Sequence, residues 1–144
     1  MAPLQKRALL SLIAGLVFAI ALVVVFITRD ITTFDEDQGF RLIVYALWIA
    51  VPMAYLIIVN LTLRKPELTD ERDRLILVKA PKTQYIAILF SLAAWVIVLT
   101  EVFWDTGEVP VIFLTLIMIS TLIISTLAQS LGILIGYWRM NADG

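Results

Sequence analysis

The sequence predicts an all-α fold: an integral membrane four-helix bundle made of two antiparallel transmembrane hairpins, with both termini cytoplasmic. Three observations predict it. Of 144 residues, 61% are hydrophobic and 16% charged, against roughly 45–50% and 25% in a soluble domain. With a mean hydropathy of +0.96, the chain carries more apolar surface than one small globule can bury. Four stretches, 8–28, 42–63, 83–100 and 110–138, contain no Asp, Glu, Lys or Arg, and about 20 apolar residues make a helix that crosses ~30 Å of hydrocarbon. They show no alternation of period two, so helices are expected rather than a barrel. Finally, with both ends inside, Lys6, Arg7, Arg64, Lys65, Arg72, Arg74, Lys79, Lys82 and Arg139 fall on the cytoplasmic side and only Arg29 and Arg41 outside. That is the positive-inside arrangement.

The first stretch follows a basic lead-in at Lys6-Arg7. Ala19-Ile20-Ala21 resembles a signal-peptidase site, but apolar residues continue through Leu22 to Ile27, which predicts an uncleaved signal anchor. The loop to the second stretch is acidic, with Asp30, Asp35, Glu36 and Asp37. Asp35 to Gly39 has the look of the start of a calcium loop, yet the twelfth position falls on Ala46, inside a helix, so a solvated acidic turn is expected. Pro52 in the second stretch frees the carbonyl of Trp48 and predicts a kink with a gap beside it.

The inner loop from Arg64 to Lys82 is polar and structured. Pro66 stops the second helix, Thr69 or Asp70 can cap a new one, and Glu71 and Asp73 suit its positive N-terminal end. A juxtamembrane helix is expected over about 70–80, broken or kinked from the third span at Pro81, with Lys79 and Lys82 reaching lipid phosphates. An intramolecular salt-bridge network is the expected role of the charged motif, which has no Gly-rich phosphate loop beside it. The third stretch is the shortest and the fourth the longest; at 1.5 Å per residue the fourth reaches about 43 Å, which implies tilt or a projecting end. Phe34, Phe40, Phe103 and Trp104 near the outer face, and Tyr85 and Tyr137-Trp138 near the inner one, are expected as interfacial anchors.

Asp70-Glu71-Arg72-Asp73, followed by Ile76 and then Lys79-Ala80 leading into a transmembrane helix, resembles the central signature of an uncharacterised family of small bacterial and archaeal four-helix membrane proteins, classed as a domain of unknown function. The resemblance covers about 30 residues specifically and the remainder by topology. It implies a four-helix fold in the inner membrane of a prokaryote, and it implies no activity. The family's continuous helix is interrupted in this chain by Pro81.

Composition excludes much chemistry. With no Cys there is no disulfide, zinc cluster or thiol nucleophile, and with no His the usual general base and haem ligand are missing. The four stretches hold no ionisable carboxylate or base, which argues against proton-coupled export. Met53 and Met118 are expected as apolar filling rather than metal ligands, and no cofactor is expected.

The informative pattern is in small residues. Ser11, Gly15 and Ala19 recur every four in the first helix, Ala46, Ala50 and Ala54 in the second, Ala87 and Ser91 in the third, and Gly132 and Gly136 form a GxxxG in the fourth. In lipid, close backbone approach along such stripes is what lets helices hold together. Thr121, Ser125 and Gln129 share one face of the fourth helix, as interhelical glue or as the lining of a narrow path. The expected function is therefore non-enzymatic: an accessory or regulatory subunit of a membrane complex, or a homo-oligomer, working through helix contacts. The alternative is a small pore or transporter protomer lined by the polar face of the fourth helix. The expected partners are the bilayer and a membrane protein or a second copy, with no nucleic acid.

Overall fold

A computed structural model describes residues 2–29, 33, 34, 36–62 and 71–142. Pro66, Thr69 and Asp70 lie outside the described residues, as does the side chain of Arg72. The fold is all-α, with α1 Pro3–Thr28, α2 Gln38–Thr62, α3 Glu71–Val102 and α4 Ile112–Ala142. All four are long and apolar enough to cross a membrane.

Local chemistry accounts for the boundaries. Pro3 opens α1 at the position where a missing N–H costs nothing. At its other end the Arg29 N–H still reaches Val25 O at 3.0 Å, and Thr28 Oγ1 donates to Val24 O at 2.8 Å. Asp37 caps α2: its Oδ1 accepts the Gly39 and Phe40 N–H groups at 2.8 and 3.1 Å, which satisfies two of the free donors of the first turn. Its other oxygen, Oδ2, meets Arg29 Nη1 at 2.9 Å. The acidic loop thus uses this carboxylate as a clasp between α1 and α2. The turn into α4 needs Gly107, whose φ of 65° lies in the left-handed region.

Two expectations are corrected. The juxtamembrane segment and the third apolar stretch form one helix, with Pro81 inside it and no break. Proline removes one N–H and crowds the carbonyl four residues back, but α3 is seated on α4 on both sides of that point. An added Cβ at Gly136 would lie 3.1 Å from Ile76, and one at Gly132 would lie 3.4 Å from Thr83 and 3.6 Å from the Ala80 backbone. Neither do Phe34 and Phe40 act as surface anchors. They are 4% and 0% exposed and stack edge-on at 5.5 Å, with Phe26 of α1 at 5.6 Å from Phe40. Trp104, Tyr85 and Trp138 are exposed, as expected, whereas Tyr137, expected beside Trp138 as an anchor, is buried.

The fourth helix is the hub. It packs on α3 and α1 extensively and on α2 less so, α1 also packs on α2, and α3 has no comparable contact with α1 or α2. Its buried side chains bridge two cores. One, around Phe40, Val44, Ile112 and Ile119, joins the start of α2 to the start of α4. The other, around Leu4, Ala8, Ile76, Ile133 and Tyr137, joins the start of α1 and α3 to the end of α4. Most large apolar side chains lie outside both cores, on the outer surface of the bundle.

Candidate functional site

The polar face of α4 meets polar groups of three helices midway along the bundle. Ser125 Oγ accepts from Gln84 Nε2 of α3 at 2.6 Å. One turn further on, Gln129 Oε1 accepts from the Tyr55 hydroxyl of α2 at 3.1 Å. Tyr55 Oη in turn accepts from Arg7 Nη2 of α1 at 3.1 Å, and the guanidinium carbon lies 5.9 Å from the Tyr55 ring centroid, within cation–π range. An unbroken relay therefore runs Arg7 to Tyr55 to Gln129, one residue per helix, and ties α1, α2 and α4 together.

Because α2 and α3 both lean on α4 and scarcely on each other, the relay borders a cleft of about 220 Å3, walled by Pro52, Tyr55, Gln84, Ser125 and Gln129 among others. Pro52 lines this cleft, at the place where the sequence predicts a gap. A second void of about 10 Å3 shares Tyr55 and Thr126 with it and reaches Ser11. Ser11 Oγ is buried with no hydrogen-bond partner, and a void of that size holds about one water.

The sequence-selected residues divide by role. Ser11 and Gly15 are buried in α1, and an added Cβ at Gly15 would come within 2.8 Å of Leu127; Ala19 packs against the larger core. Gly132 and Gly136 receive α3. Ala54 lines the small void, Ala50 is half-buried, and Ala46 is exposed. Ala87 and Ser91 are half-buried. On the polar stripe, Ser125 and Gln129 bond across helices, whereas Thr121 Oγ1 is buried without a partner. Three other hydroxyls of α4 return to their own helix: Ser120 to Ile117 O at 3.1 Å, Thr126 to Leu122 O at 3.0 Å and Ser130 to Thr126 O at 2.8 Å.

Of the charged loop motif, the side chains of Glu71 and Asp73 are described. Glu71 and Arg74 are exposed, whereas Asp73 is 3% exposed and accepts a hydrogen bond from the Tyr137 hydroxyl. A salt-bridge network is thus not what engages Asp73; a phenol on the hub helix does. Sequence reasoning missed Arg7, Tyr55, Gln84 and the Trp95 Nε1 donor, which reaches Ser120 Oγ at 2.8 Å. Tyr55 and Gln84 are single polar residues within apolar runs, and that is the signal that could have found them. Arg7 belongs to the first turns of α1 rather than to a flanking tail and is half-buried, so a positive charge borders the relay.

Among the described residues no three carboxylates gather as a metal site. The relay offers hydroxyls, amides and one guanidinium, which can orient water or a small polar molecule and hold helices in register. No family model, curated protein or solved structure matches the chain.

Proposed function

We propose that the protein is a non-enzymatic, multi-pass membrane protein of a prokaryotic inner membrane. In this reading its two antiparallel hairpins place both termini in the cytoplasm, and it works through helix contacts, as an accessory or regulatory subunit of a larger complex or as a homo-oligomer. The observation that carries this reading is the one-sided seating of α3. At 32 residues it is the longest helix, yet among the described residues α4 is the one helix on which it packs extensively. Its opposite face presents Leu89, Phe90, Val96 and Ile97, with the small Ala93 between them, all exposed. A face with a small residue among bulky ones suits another membrane helix. The loop signature Asp70 to Asp73 adds kinship with four-helix membrane proteins. Native mass measurement in mild detergent tests the reading: a complex or oligomer is expected, and Ala93→Trp should dissociate it while the monomer keeps its helix content. A strictly monomeric chain under gentle extraction would end this proposal.

The cleft supports a second reading, a small pore or transporter protomer with the polar face of α4 lining the path. Arg7 at one end would then favour anions. Liposome flux decides between them: wild-type flux abolished by Gln129→Leu supports the path, and absence of wild-type flux eliminates it.

A further inference from the structure

Where α3 begins and α4 ends, a half-open groove of about 630 Å3 runs between the two helices. Lys79 of α3 and Arg139 of α4 both line it, and Leu75, Ile135 and Met140 give it apolar walls. Gly132 lies on its inner stretch beside Thr83. Neither cation has a carboxylate partner among the described residues, and Asp73, the buried carboxylate at the same end, is taken by Tyr137. Two like charges lining one concavity repel each other, and an anion placed between them relieves that repulsion. Trp138, next in sequence to Arg139, is exposed and suits the headgroup level.

We infer that this groove binds an anionic phospholipid. The phosphate lies between Lys79 and Arg139, and an acyl chain leaves along the apolar wall formed by Leu75 and Ile135. The two ends of the groove match the two ends of the lipid: a lysine stem and an arginine stem lie along apolar surface and deliver charge at their tips, while a free phosphate would leave the apolar walls uncovered. The inference rests on the chain being membrane-embedded. It adds a ligand and a site to that reading: lipid composition at the cytoplasmic leaflet would brace the α3–α4 contact from which α3 presents its outer face.

The test uses the full chain in a neutral detergent, with bound lipid counted by native mass spectrometry and the thermal midpoint followed in parallel. Phosphatidylglycerol is expected to bind one to one and raise the midpoint, and phosphatidylcholine and inorganic phosphate at equal concentration are not. Lys79→Gln and Arg139→Gln should each weaken phosphatidylglycerol binding about fivefold, the factor that one surface cation near an anionic headgroup is worth. Ile135→Trp should weaken it with both cations in place, and Arg74→Gln, which removes an exposed cation of α3 that does not line the groove, should leave it unchanged. Both cations are exposed, so these variants keep their helix content, which circular dichroism checks. Equal binding of the two lipids, unchanged affinity in the Lys79 and Arg139 variants, or phosphate competing as well as lipid would each overturn the site. Recovery of the chain without detergent would instead overturn the membrane reading itself.

Discussion

At the scale of single residues, this molecule is decided by a few polar side chains that have to be satisfied in an apolar setting. Asp73 is the sharpest case, since a buried carboxylate without a donor is costly. Tyr137→Phe keeps the ring and removes the hydroxyl that donates to Asp73, so it should destabilise the protein by about 1–3 kcal/mol. Chemical denaturation in detergent measures this, and adding Asp73→Leu to the same chain should return part of the loss, because the orphaned acceptor is then gone. The relay is expected to be gentler. Gln129→Leu leaves the Tyr55 hydroxyl with Arg7 as its partner, and hydrogen bonds between membrane helices are worth about 0.6 kcal/mol on average. A drop in stability of that order, with unchanged helix content, is the expected result. A larger one would mean that the relay holds the bundle by more than this bond.

At the scale of the helix, α3 shows tertiary packing overriding a local signal. Pro81 marks a break or kink in sequence terms, yet α3 runs through it as one helix. Ile76 against Gly136 before the proline and Thr83 against Gly132 after it hold the helix on either side. Pro81→Ala should therefore raise the thermal midpoint, by restoring an N–H for the Leu77 carbonyl, and should leave the fold as it is. A fall in the midpoint would show that the proline shapes a bend the packing needs. Conversely, Gly136→Val places a branched side chain where a single Cβ already lies 3.1 Å from two atoms of Ile76. Ile76 is itself branched and stiff, so overpacking of about 1–3 kcal/mol is expected. Its readout is loss of cross-linking between cysteines placed on α3 and α4.

For the whole molecule, the proposed topology makes the firmest prediction. The chain has no cysteine, so single cysteines at positions 2 and 142 report cleanly. Both should react with a membrane-impermeant maleimide only after the cytoplasmic side is opened. Tails in opposite compartments would remove the basis for the subunit, the pore and the lipid groove alike. The architecture itself is asymmetric: one hub helix, α4, carries three others, and the helix seated on one side only is the one with most surface left over. This asymmetry is why a partner is proposed for α3 rather than for α1, whose small-residue face is already closed by Leu127.

The order and approximate positions of the four apolar helices were legible in the sequence, apart from the joining of the juxtamembrane segment to α3, because an uncharged run of sufficient length closes its own backbone hydrogen bonds without reference to the rest of the chain. The close contacts at Gly15, Gly132 and Gly136 were legible for a related reason, since only a residue with no side chain admits a neighbouring helix so near. What only the tertiary structure decided was which distant groups meet. Arg7, Tyr55 and Gln129 stand 48 and 74 residues apart along the chain, and nothing in their neighbours sets the rotation of one helix against another. The same holds for Phe34 and Phe40, which read as surface aromatics until α1 and α4 are laid over them, and for Lys79 and Arg139, which share a groove because the two glycines let α3 and α4 approach closely at that end.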